Sequence, residues 1–162
     1  MRIQLTKLSD LRHRLEITRS DGSQDSVDLE SKTFIVHDFL HYAIESTAGL
    51  TQSFWGQLSR GKTFDDMAQM GRDNPVEQMV QHITTEDAET EAVVGIMTGI
   101  VQTNSSAESA IAGIDNLFSA QNRALPEWLT SEFITTIKEK MRRLLGEWKA
   151  LPYNETMEIQ FD

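Results

Sequence analysis

"LRHRLEITRSDGSQDSVDLE", residues Leu11 to Glu30, decides the fold. Leu11, His13, Leu15 and Ile17 share one face, and Arg12, Arg14, Glu16 and Thr18 oppose them. That alternation is the period of a strand with one buried side. "SDGS" (Ser20–Ser23) carries the Asp-Gly pair favoured in tight hairpin turns, and Val27 and Leu29 resume the pattern after it. Upstream, Ile3 and Leu5 oppose Arg2 and Gln4. At the other end, "ETMEIQF" alternates through Met157, Ile159 and Phe161. Everything between reads helical. Strands with one apolar face must be covered. The expected class is therefore α+β: a helix-rich bundle with a small antiparallel sheet formed by the N-terminal hairpin and the C-terminal strand. The length suggests a single domain over 1–162.

The helices are punctuated by caps. The segment "FIVHDFLHYAIESTAGLTQSFWGQL" (Phe34–Leu58) reads as one long helix ending at Arg60-Gly61, where Gly61 suits a left-handed C-terminal position. "TFDD" (Thr63–Asp66) and "NPVE" (Asn74–Glu77) read as N-caps followed by acids, and "TTEDAETEA" opens a further helix with acids at its positive end. "AVVGIMTGIV" (Ala92–Val101) is apolar all round, so its helix is expected to be central, with Gly95 and Gly99 admitting another backbone such as the Gly49/Gly56 side of the first helix. "SSAE" (Ser105–Glu108) starts a helix with the stripe Ala107, Ala110, Ile111, Ile114, Leu117 and Phe118. The last helix, from about Pro126 or Thr130 to Trp148, carries the stripe Phe133, Ile137, Met141, Leu144 and Trp148.

Composition excludes several classes. There is no cysteine, so disulfides and thiolate metal sites are ruled out and any metal needs histidine and carboxylate ligands. With 25 acidic against 15 basic residues the net charge is -10, which repels a phosphate backbone and anionic membranes alike. The N-terminus lacks an apolar core of signal-peptide length, and the longest apolar run is half a bilayer span. The expectation is a soluble cytoplasmic protein without nucleic-acid or membrane partners; a binder of an unknown small molecule, with a methionine-lined pocket, is a third alternative. The basic stretch "KEKMRRLLGEWK" near the C-terminus reads as a solvated face.

The candidate chemistry lies in the first long helix. His37, His41 and Glu45 are spaced i, i+4, i+8, so neighbours can share one metal ion or one hydrogen-bond network, although the outer two are about 12 Å apart along the axis. The polar side of this segment holds Ala48, Gly49, Gln52, Ser53 and Gly56, with no lysine or arginine anywhere in the stretch. Small uncharged residues imply close approach by another element, a subunit or a ligand, which would shelter Asp38, Glu45 and the histidines. Buried charge must be paired or metal-bound. The candidate ligands are thus His37, His41 and Glu45, with Asp38 as a supporting or acid–base group. His82, in "EQMVQHITTED" together with Glu77 and Glu86, is the candidate from a second helix. A divalent zinc or iron ion suits that set. Were the site catalytic, the metal or a histidine would activate water or polarise a carbonyl. The alternative is a non-catalytic interaction module, homodimeric through the uncharged helix side. His13, on the apolar side of a strand, reads as a core or edge histidine.

"TFIVHDFLHYAIES" followed by "FWGQLSRG" resembles a small uncharacterised bacterial protein family with an His-Asp-x-x-His-x-x-x-Glu helix segment. "HDFLH" (His37–His41) is also similar to the first part of the zinc motif of the ubiquinone-biosynthesis proteins. That motif expects a glutamate twelve positions after its second histidine. Ser53 stands there, so Glu45 would have to substitute from one helical turn away.

Overall fold

The alternating segments at the two chain ends close into one sheet. The computed structural model describes residues 1–70 and 85–162. Within them the chain runs β1 (Arg2–Lys7), β2 (Arg12–Thr18), β3 (Gln24–Glu30), α1 (Ser31–Ala48), α2 (Phe54–Ser59), α3 (Phe64–Met70), α4 (Thr85–Thr103), α5 (Ala107–Ala120), α6 (Ser131–Ala150) and β4 (Thr156–Gln160). The sheet is antiparallel in the order β3-β2-β1-β4. Its register stacks like with like: Ile3 lies between Ile17 and Ile159, and Leu5 between Leu15 and Met157. All six are buried. The β2–β3 connection closes with Arg19 N–H on the Ser23 carbonyl at 2.9 Å, and Gly22 takes a φ of 84°. The class expected from the alternation, α+β with a terminal antiparallel sheet, is the one observed.

The helices cover the inner face of the sheet, but not in the expected arrangement. α1 follows β3 directly, and every residue from Asp38 to Glu45 is buried. The central helix is therefore α1, packed on α4 and α6 as well as on β2 and β3. α4 buries only Thr90, Val93, Val94 and Met97. Gly95 and Gly99 are exposed, and a Cβ on either would meet open space, so among the described residues no backbone approaches there. The expected single helix from Phe34 to Leu58 is also two helices. Gly49, at φ 68°, ends α1 in the left-handed conformation with its N–H on the Glu45 carbonyl, and the chain restarts at Phe54.

Several local expectations match. Thr63 and Asp66 cap α3 reciprocally, Ser106 caps α5, and Thr130 caps α6. The α6 stripe Phe133, Ile137, Met141, Leu144 and Trp148 is buried. Its basic face is less solvated than its composition suggests. Lys138 reaches the Ser105 carbonyl at 2.6 Å, and Lys140 donates to Ser46 and Thr47 at 3.0 and 2.8 Å. The "NPVE" cap lies outside the described residues. Among the described residues no helix is long and apolar enough to cross a membrane.

Candidate metal centre

Three side chains converge where α1 meets α4. His37 and His41, one turn apart on α1, stand with ring centroids 4.6 Å apart. Glu91 of α4 faces both: its Oε1 lies 3.1 Å from His41 Nε2 and its Oε2 3.7 Å from His37 Nε2. One donor atom from each residue lies within 4.8 Å of the others, so the three form a group that could hold a metal ion. Tetrahedral ligands at zinc distances of about 2.0–2.1 Å sit roughly 3.3–3.5 Å from one another, close to the two spacings observed here. His41 Nε2 is buried and makes no hydrogen bond, although Glu91 Oε1 lies 3.1 Å away.

Each imidazole has a carboxylate at its other nitrogen. His41 Nδ1 is 3.0 Å from Glu45 Oε1, and both side chains are wholly buried. An ionised carboxylate only accepts, so Nδ1 carries the proton and Nε2 is turned to Glu91. His37 Nδ1 is 3.6 Å from Asp38 Oδ1. Carboxylates behind ligating imidazoles fix tautomer and ring orientation. Glu45 is held in its turn. Its Oε2 accepts the N–H groups of Trp55 at 2.8 Å and Gly56 at 3.2 Å, at the start of α2. Asp38 Oδ2 points the other way, 3.9 Å from the Nε2 of buried His13, whose Nδ1 is 3.1 Å from Ser31 Oγ.

The charges are strongly coupled. Asp38 first, then Glu91, raise His37 from 6.5 to about 9. Burial opposes charging His41, yet Glu45 and Glu91 together outweigh it and hold His41 at about 9 as well. Glu91 also resists charging through burial, but the two imidazoles override this and pull it far below the ordinary carboxylate range. Burial pushes Glu45 up, against His41 and the two amides. It pushes His13 down, against Asp38. Near neutral pH the cluster thus carries protons on His37 and His41, which any ion binding there would have to displace.

The residues singled out from the sequence separate into distinct places. His37 and His41 lie in the three-residue group. Glu45 lies behind His41 at the ring's other nitrogen, and Asp38 lies behind His37 and in front of His13. His82 and Glu77 lie outside the described residues. Glu86 turns to α2, its Oε1 accepting the N–H groups of Gln52 and of Ser53, the latter at 3.0 Å. The residue that sequence reasoning missed is Glu91. It sits among Glu86, Asp87 and Glu89 in an acidic helix start, and only the packing of α4 on α1 distinguishes it from them.

No protein-family model matches this chain, and no curated protein or solved structure matches it.

Proposed function

We propose that this is a metal-binding protein whose centre is His37, His41 and Glu91, with zinc as the first ion to fit and ferrous iron as the second. The observation that carries the reading is the shared orientation of the rings: each turns Nε2 to Glu91 and has a carboxylate at Nδ1. Two imidazoles and one carboxylate make a donor set that suits zinc with an open fourth position, or non-haem iron. Bound there, the ion supplies Lewis acidity. The protein supplies the rest: Glu45 fixes the His41 tautomer, Asp38 steadies His37, and the packing around His41 excludes water from behind. The front stays open, since the side chains of His37 and Glu91 are 44% and 51% exposed.

Metal analysis of the protein purified without added metal, followed by zinc titration calorimetry, tests this. One equivalent of zinc or iron is expected in the wild type, and none in the His37→Ala/Glu91→Gln double variant, which leaves buried His41 in place. A wild type that neither retains nor takes up either ion would overturn the reading and leave the cluster as an ion-pair network.

A further inference from the structure

The segment between α1 and α3 that contains α2, Leu50 to Arg60, is gripped by the same two helices that carry the candidate ligands, α1 and α4, often by residues beside or one turn from a ligand. Glu45, one turn after His41, accepts the Trp55 and Gly56 amides. Trp55 Nε1 donates to the carbonyl of Asp38, next to His37, at 3.3 Å. From α4, Glu86 accepts the Gln52 and Ser53 amides, and Thr90, next to Glu91, shares a 2.8 Å hydroxyl contact with Ser53. Gly56 is what lets the chain fit: a Cβ there would overlap the Thr51 backbone. α2 has six residues, far below the length at which a helix holds by itself, so its docking depends on these contacts.

Resting on the metal-binding reading, we propose that ion binding at His37, His41 and Glu91 and docking of the Leu50–Arg60 segment are one coupled equilibrium, joined chiefly by Glu45. One carboxylate has a ligand ring on one oxygen and the first turn of α2 on the other, and it is wholly buried. A buried carboxylate that loses either partner is left under-satisfied in a low-dielectric site. An ion on Nε2 draws charge from the His41 ring and strengthens Nδ1–H as a donor to Glu45, which fixes that carboxylate under the α2 amides. Equally, α2 in place holds Glu45 where it orients His41. The ion also ties α1 to α4, and α2 is gripped by both. Coupling of this kind is reciprocal: whatever loosens α2 weakens the ion by the same factor that the ion tightens α2.

Hydrogen exchange of the full chain, with and without saturating zinc, reads one direction. Zinc should slow the amides of residues 53–59 about tenfold or more while leaving α5 unchanged. Zinc titration of Gly56→Ala reads the other. That variant changes no ligand and should bind zinc about tenfold more weakly. If it does not fold, Glu86→Gln, which weakens the grip on Gln52 and Ser53 alone, is expected to show the same loss at about threefold. Protection confined to α1 and α4, with wild-type zinc affinity in the variant that folds, overturns the coupling and leaves the metal centre standing. Failure of the wild type to bind zinc overturns both.

Discussion

The rings of His37 and His41 lie 4.6 Å apart and direct Nε2 at one carboxylate, that of Glu91. Two protonated imidazoles at that distance repel, and the carboxylates of Asp38, Glu45 and Glu91 around them offset that repulsion. A divalent ion bound at His37, His41 and Glu91, as proposed, would replace both protons. On that reading protons and metal compete for the same nitrogens.

The competition sets a pH profile. His37 and His41 are raised from 6.5 to about 9, so their contribution to stability is complete below 6.5 and is lost as pH rises through about 9. The raised Glu45 carboxyl adds to that loss over the range above its ordinary value of 4.5. Buried His13 is lowered, so its contribution is present above 6.5 and falls away below it. Glu91 is lowered from 4.5, so its contribution is lost as pH falls below that value. The metal-free protein should be most stable near pH 6.5, with Tm falling on both sides. Zinc should bind more tightly between pH 7 and 9 and move the optimum upward. Calorimetric scans from pH 5 to 9, with chelator and with zinc, measure this; a flat chelator series contradicts it.

Glu45→Gln separates the two jobs of that carboxylate. The amide oxygen can still accept the Trp55 and Gly56 N–H groups, so α2 stays capped. The amide nitrogen then faces His41 Nδ1 and can only donate, which forces the ring proton onto Nε2. The ligand nitrogen is thereby blocked. Zinc affinity should fall about 10–100-fold with the fold retained, and the His41 ring nitrogens should report the exchanged tautomer by NMR. Unchanged affinity in a folded variant would show that Glu45 does not orient the ring.

The parts of this molecule legible in the sequence are those governed by local period and local caps. Ile3, Leu5, Leu15, Ile17, Met157 and Ile159 alternate because one face of each strand is buried, and Ser106 and Thr130 cap because hydroxyl and amide lie within one turn. The lack of cations around His41 and Glu45 did signal shelter, and both are wholly buried. What the pattern hid was tertiary. The Ala92–Val101 run of α4 is apolar on nearly every side, yet α1 occupies the centre, because α1 leaves β3 without a linker and packs on β2 and β3. The break at Gly49 was hidden by an apolar stripe that continues through Leu50, Phe54 and Leu58. Glu91 differs from its acidic neighbours only in what it faces.

Arg19 anchors the hairpin to the far end of α2. It is buried, with Nε on the Leu58 carbonyl and Nη2 on the Lys62 carbonyl, each at 2.6 Å, and Nη1 3.2 Å from Ser23 Oγ. Charge-assisted bonds of this kind contribute about 1.5–3 kcal/mol each against water. Arg19→Met keeps much of the aliphatic bulk and removes all three. A loss of about 4 kcal/mol or more in urea unfolding is expected; a change within about 0.5 kcal/mol would mean that water replaces the guanidinium without cost.

Two neighbouring cations on α6 should behave differently, although composition treats them alike. Lys140 donates to Ser46 and Thr47 near the end of α1 and lies 5.6 Å from the centre of the Tyr42 ring, and burial lowers its pKa. Arg142 is exposed and lines a groove together with Val101 and Asn104. Lys140→Met keeps the aliphatic stem but drops the two hydroxyl bonds and the ring contact, and should cost about 1–2 kcal/mol. Arg142→Ala should stay within about 0.5 kcal/mol. Paired urea titrations decide. Equal losses would return Lys140 to the solvated face on which its sequence places it, and would remove the tie between α6 and the helix that carries His37 and His41.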